Sequence, residues 1–260
     1  MGIINATPDS FSGDGVALDI EQAMTRARAF VADGADILDI GGESTRPGAA
    51  AVGVEEEIRR VVPLIEALCE LNVPLSIDTS KPQVMRAALA AGATLINDIN
   101  ALRAPGALEV AAGTDAGVCL MHMQGTPQTM QDDPIYADVV AEVKAFLVQR
   151  ADACRAAGID RSRIVIDPGF GFGKTAEHNL QLLQGLEGLA ASGYPILVGL
   201  SRKSVLGKLT GRKVTERVAA SLAAAIAAVA RGASIVRVHD VASTRDALEV
   251  WCVATRSNSP

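Results

Sequence analysis

A chain of 260 residues with a formal net charge of −6 carries no basic field to attract nucleic acid or an anionic membrane, so any anionic ligand must be met by local cations. Hydrophobic residues make up 49% and aromatic residues only 3%, which gives a core of Ala, Val, Ile and Leu and makes each aromatic worth locating. Single α/β barrels commonly run to about 250 residues, so residues 1–260 are expected to form one domain acting on a small molecule.

From Met1 onward, short apolar runs alternate eight times with longer stretches of helical period. The strand candidates lie at 2–6, 37–40, 75–78, 95–98, 118–121, 164–167, 196–199 and 235–238. Between them Ile20, Ala23, Met24, Ala27 and Val31 repeat at the spacing of one helix face, as do Ile58, Val61, Val62, Ile65 and Cys69. Helix stops fall at Gly34, Gly92, Gly158 and Gly232, each just ahead of the next strand.

Repeated βα units without a composition break predict a closed (β/α)₈ TIM barrel or a doubly wound open sheet. The count favours the barrel. Polar residues sit at or just past nearly every strand end, namely Asn5, Asp39, Asp78, Asn97, His122, Asp167, Ser201 with Lys203, and Arg237 with His239. A barrel gathers those ends on one face, whereas an open sheet spreads them along a row.

The chemistry-bearing stretches follow in order. The first loop, NATPDSFSGDGV over 5–16, is too long and too rich in Gly and Ser for a minimal βα turn of about 2 to 6 residues, and is expected to act as a lid. The second, GGESTRPGAAAVG over 41–53, is also long and presents Arg46. Asp78, Asn97 and Asp167 come from strands three, four and six. Carboxylates accept hydrogen bonds and an amide does both, which suits a ring with several N–H and C=O groups, such as a pterin or purine edge. Paired acids also serve metal binding and glycoside cleavage, although His122, His178 and His239 lack metal-ligand spacing.

Within 164–174, IVIDPGFGFGK, a strand delivers Asp167 to three alternating glycines that let the backbone approach a ligand, while Phe170 and Phe172 offer flat faces. Gly173, Lys174 and Thr175 match the end of a P-loop, but Pro168 stands where that motif needs glycine. After strands seven and eight, GLSRKS and the pair Arg237 and His239 read as a phosphate or diphosphate site, with Asn5 of the neighbouring first strand joining them.

Cys69, Cys119, Cys154 and Cys252 form no C-x-x-C pair and are expected to be buried, reduced thiols of a cytoplasmic protein. No basic segment followed by an apolar one opens the chain, so no signal peptide is read. The most apolar segment, 218–230, falls well short of the ~20 residues of a membrane span and is expected to be a buried helix.

Taken together, NATPDSFS, DIGGESTRPG, SIDTSK, NDI, MHMQG, DPGFGFGK, GLSRKS and RVHD occur in the order found in dihydropteroate synthases, which the chain resembles over essentially its whole length. That resemblance implies a (β/α)₈ barrel, a homodimer through the last helices, Mg²⁺ as cofactor, and the joining of 4-aminobenzoate to a dihydropterin bearing a CH₂-diphosphate. Carried onto this sequence, it implies that Asp78, Asn97, Met121, Asp167 and Lys203 hold the pterin. Asn5, Arg237 and His239 would hold the diphosphate, with Asn5 helping to place Mg²⁺. Phe11, Thr45, Arg46, Pro47, Phe172, Ser201 and Lys203 would form the aminobenzoate site. Asp78, Asp167, Lys203, Arg237 and His239 are the residues expected to carry catalysis, and sulfonamides are expected to bind.

The chain departs from the family pattern at Ser12, Gly13, Asp14 and Gly15, where Ser-Asp-Gly-Gly is commoner. Met1 also opens within the first strand motif, where relatives carry earlier residues, and the effect expected is on stability. Other readings are a pterin module presenting methyl-tetrahydrofolate to a corrinoid protein, a Schiff-base aldolase using Lys203, and a silent paralogue. The first needs neither the diphosphate motifs nor the STRPG loop.

Overall fold

The structure, a computed structural model, describes residues 1–6, 16–44 and 51–255, and the backbone only for 16–19. Eight strands pair in chain order: β1 (Gly2–Asn5), β2 (Leu38–Gly41), β3 (Leu75–Asp78), β4 (Leu95–Asp98), β5 (Gly117–Met121), β6 (Ile164–Asp167), β7 (Ile196–Val198) and β8 (Ala233–Val236). All the ladders are parallel. A bridge between Gly2 and Val238 brings the last strand back to the first. There Val238 N–H donates to Met1 O at 2.9 Å and Ile3 N–H to Val238 O at 3.1 Å. The fold is the (β/α)₈ barrel expected from the alternation of patterns.

Helices α1 (Val16–Ala32), α2 (Val54–Leu68), α3 (Pro82–Ala90), α4 (Ala107–Ala112), α5 (Val139–Ala156), α6 (Ala176–Gln184), α7 (Leu186–Ala190), α8 (Ser204–Thr210), α9 (Val218–Val229) and α10 (Val241–Thr255) connect and cover the strands. Gly34, Gly92, Gly158 and Gly232 all take positive φ, between 87° and 117°, the left-handed geometry that ends a helix. The eighth strand begins at Ala233, two residues before the expected start, and Arg237 lies past the named strand.

Strand periodicity of two divides the core cleanly. Ile4, Leu38, Ile40, Leu75, Ile77, Ile96, Val118, Leu120, Ile164, Ile166, Ile196 and Val198 join the main cluster between barrel and helices. The alternate set, Met1, Leu95, Cys119, Val165, Leu197 and Ile235, forms a separate apolar cluster inside the barrel. Going toward the C-terminal strand ends on that same inward parity, the next residues are Asp39, Asp78, Asn97, Met121, Asp167 and Arg237. An apolar plug thus fills one end of the barrel, and a polar layer closes the other.

Two expectations are corrected. Cys119 and Cys154 are buried, but Cys69 and Cys252 are exposed, because one follows α2 in a surface turn and the other lies on an outward face of α10. Helix α9 buries only Ser221, Ala224, Ala225 and Ala228, so the alanine-rich segment packs by one face rather than all round.

Candidate active site

Three acids and one arginine organise the polar layer. Arg237 donates from Nε to Asp39 Oδ2 at 2.5 Å and from Nη2 to Asp78 Oδ2 at 2.7 Å. Asn97 Nδ2 donates to the same Asp39 oxygen at 3.2 Å. β2, β3, β4 and the end of β8 therefore meet through one buried network, because each contributes a residue of inward parity. Asp39 Oδ1 and Asp78 Oδ1 are buried and find no hydrogen-bond partner among the described residues, so the network offers two acceptors to whatever enters.

The electrostatics follow from burial. Asp78 is pushed up to about 7 by burial, opposed by Arg237 and reinforced by Asp39. Asp167 rises to about 6 for the same first reason, against the Gly169 N–H bond and the charges of Lys203, Lys174 and Arg237. Burial alone would lower Arg237, but Asp39 and Asp78 outweigh it and keep the guanidinium firmly charged. The charged form of such acids is favoured by ring N–H groups that donate to their carboxylate oxygens.

Beyond β6, Asp167 Oδ1 accepts the Gly169 N–H at 2.7 Å, turning the glycine loop toward the site. A Cβ on Gly169, whose φ is +69°, would collide with His122 O, so this position is restricted to glycine. Phe172 packs with Met121, Met123, Met130 and Ile99 in one apolar cluster, bringing together the two residues expected to line the two substrate pockets. Lys203 Nζ stands 4.1 Å from the Phe172 ring centroid, a cation–π contact that joins the loop after β7 to the loop after β6. Burial, then Arg237, lower Lys203 to about 8, while Asp167 and Asp78 act the other way.

Lys203 is aimed by an unusual turn. Arg202 has φ +58°, donates from its backbone to Ser221 Oγ at 2.9 Å, and pairs with Asp240 at 2.5 and 3.0 Å. Arg202 is thereby spent on structure. Ser201 Oγ accepts from His239 N at 3.2 Å and lies 3.0 Å from its Nδ1, so the residues expected in the amine and anion sites touch directly. Burial, then Arg237 and Arg202, lower His239 to about 4, so it meets an arriving anion as a neutral N–H donor.

Asn5 ends β1 on the inward parity, in register with Gly41, which is itself in register with Asp78. His122, by contrast, has outward parity and stacks edge-on against Phe146 at 5.0 Å, so it does not join the layer. Phe11, Thr45, Arg46, Pro47 and Asp14 lie outside the described residues. The base of the second loop is described: Glu43 accepts from Val52 N at 2.8 Å and from Lys81 Nζ at 2.6 Å, and Lys81 also reaches the fully buried Glu57 at 2.5 Å. Two residues at the centre were given no role from sequence, Asp39 and Lys174. Parity could have found Asp39, which stands two residues before Gly41 on the inward side of β2; nothing local singles out Lys174. A separate groove of about 720 Å³, lined by Leu89, Thr94, Val110 and Ala116 among others, opens at the opposite strand ends and is remote from these groups.

A family model described as pterin binding enzyme matches residues 1–239. The dihydropteroate synthase of Escherichia coli (strain K12) is 50% identical over 251 residues, covering 96% of this chain and 89% of that protein. The chain belongs to the dihydropteroate synthase family. It is accordingly a transferase. Among solved members, the Xanthomonas albilineans dihydropteroate synthase with 4-aminobenzoic acid superposes with a TM-score of 0.93 at 55% identity, over 99% of this chain and 93% of that one. The Yersinia pestis dihydropteroate synthase in a sulfonamide drug complex gives a TM-score of 0.94 at 48% identity, over 99% and 94%.

Proposed function

We propose that the chain condenses (7,8-dihydropterin-6-yl)methyl diphosphate with 4-aminobenzoate, forming 7,8-dihydropteroate and releasing diphosphate. The observation that carries this is the inward polar layer, in which Arg237 bridges Asp39 and Asp78 beside Asn97 and Asp167. Asp78, Asn97, Asp167 and Lys203 bind the pterin edge, the acids taking its ring and amino N–H groups, and Met121 packs on its face. Arg237, His239 and Asn5 face the leaving diphosphate. A guanidinium has five N–H donors, and the two bonded to Asp39 and Asp78 leave three for phosphate oxygens. Phe172, Ser201 and Lys203, with Phe11, Thr45, Arg46 and Pro47 of the two long loops, bind 4-aminobenzoate.

An arylamine is neutral at pH 7 and needs no strong base, so the barrier lies in breaking the C–O bond. Buried acids near the methylene carbon stabilise positive charge as it develops there, and Arg237 stabilises the departing anion. The order is SN1-like, with departure first and amine capture second. The donor set fits Mg²⁺: Asn5 supplies a hard amide oxygen, and among the described residues no group of three or more His, Cys, Asp or Glu could cage a metal, which suits an ion brought by the diphosphate. Bound there, Mg²⁺ would neutralise charge on the leaving group.

The same reading makes residues 1–260 one domain and the protein a homodimer through its last helices. It is cytoplasmic, with all four cysteines free, and no described helix is long and apolar enough to cross a membrane. Sulfonamides compete for the 4-aminobenzoate site, supported by the drug complex of the Yersinia pestis member. The test is diphosphate release from the dihydropterin diphosphate with Mg²⁺, with and without 4-aminobenzoate, on folded protein. Release matched by dihydropteroate formation is expected; pterin binding without either product would refute the assignment.

A further inference from the structure

Lys174 ends the glycine motif and is 2% exposed. Its ammonium is held by main chain: Nζ donates to Phe172 O at 2.9 Å, Gly169 O at 3.1 Å and His122 O at 3.3 Å, and lies 2.9 Å from His122 Nδ1. Burial, then the Lys174 charge, hold His122 at about 3, so its ring is neutral, and burial lowers Lys174 itself to about 7, opposed by Asp167. Three of the four groups around the nitrogen are carbonyl oxygens, which can only accept.

Those acceptors come from two different loops. His122 follows β5, and Gly169 and Phe172 follow β6. The loop backbones are pressed together, since a Cβ on Gly169 would strike His122 O and one on Gly173 would strike Gln124 O. Carbonyl dipoles turned into one buried space repel unless a cation sits among them. Tyr136 OH donates to Gly173 O at 2.7 Å and Gln131 Nε2 to Gly171 O at 2.8 Å, so later parts of the β5 loop also hold the rim of the glycine loop, but neither bond satisfies the carbonyls of His122, Gly169 and Phe172 that face Lys174.

We propose that Lys174 is a positioning residue whose buried ammonium is the internal cation around which the β5 and β6 loops fold, fixing Met121, Asp167 and Phe172 at the spacing both substrates need. The lysine that resembles a P-loop lysine in sequence points into the protein and binds its own carbonyls in place of phosphate. Met121 immediately precedes His122, Asp167 stands two residues before Gly169, and Phe172 supplies one of the carbonyls, so a loss of the cation moves all three.

The assignment of substrates rests on the proposed synthase reading, so the test has a readout that needs no turnover. In Lys174→Ala, hydrogen exchange in 121–126 and 167–174 should rise while β2 and β3 keep their protection, and kcat/KM for 4-aminobenzoate should fall about 100-fold. Propylammonium, which replaces the deleted carbons and charge, should restore slow exchange and about tenfold of the activity, whereas 1-propanol should not. Exchange and kinetics like wild type, or a loss that propylammonium and 1-propanol repair equally, would overturn the proposal. Should the alanine variant not fold, Lys174→Gln carries the test through exchange in the same two segments, unchanged protection being the refuting result. Wild-type protein that folds but makes no dihydropteroate would sink the synthase reading alone, since the exchange result stands by itself.

Discussion

Arg237 joins leaving-group and heterocycle chemistry because its two acid partners stand on neighbouring strands. Arg237→Ala should lower kcat by about 10²- to 10³-fold while changing pterin affinity much less, as measured by single-turnover kinetics beside calorimetry; an equal loss of both would show that the arginine binds ground and transition states alike. Asp167 makes a second case. Its carboxyl has an ordinary value of 3.8, and burial raises it to about 6 in the fold. Below 3.8 it is protonated folded and unfolded, so it costs nothing. As pH rises from 3.8 through about 6, the folded protein must surrender a proton it holds more tightly than the unfolded chain does, and stability falls. Asp167→Asn keeps an oxygen for Gly169 N–H, so above pH 6 it should be more stable by up to ~3 kcal/mol while losing activity, with the gain vanishing in denaturation curves near pH 4. At this scale parity decided what sequence could tell. Asp78, Asn97, Asp167 and Arg237 share inward parity with the apolar plug and were legible, whereas His122 is one residue out of phase and faces α5.

Strands were legible as elements because short apolar runs closed by an aspartate marked β3, β4 and β6 to the residue. β8 was placed two residues late, since Ala233 and Ser234 lack that signal and are drawn into the sheet beside β7. Loop anchoring was not legible, because it depends on side chains far apart in sequence. Lys81, Glu43 and Glu57 illustrate this: three residues from three elements fasten the two ends of the second loop. Burial would lower Lys81, but its bonds to Glu43 and Glu57 outweigh that and raise it. Lys81→Met should cost about 3–5 kcal/mol in urea unfolding, because fully buried Glu57 loses its ion-pair partner. Adding Glu57→Gln should recover most of that loss, and a double variant as unstable as the single one would count against the ion pair as the cause. The KM for 4-aminobenzoate should rise in both, since Glu43 loses one of its two anchors.

For the whole molecule, the outer face of α10 matters most. Val250 and Val253 are 71% and 72% exposed, beside the half-buried Trp251 and the one-sided helix α9. Apolar side chains spaced by three on one helix mark a surface that a second copy can cover. Val250→Glu with Val253→Glu should turn the proposed dimer into a folded monomer in sedimentation at micromolar concentration; an unchanged sedimentation coefficient would count against α10 as the interface.

The join between β8 and β1 is a narrow seam, a lone bridge comparable to the single register pair of β6 with β7, where β1 to β6 are joined by longer ladders. Arg237 reaches from the β8 side of that seam to β2 and β3, so its ion pairs act as a hoop drawn across the gap. A ligand that pulls the guanidinium away from Asp39 would slacken the hoop, making the rigidity of the barrel wall depend on what occupies its mouth.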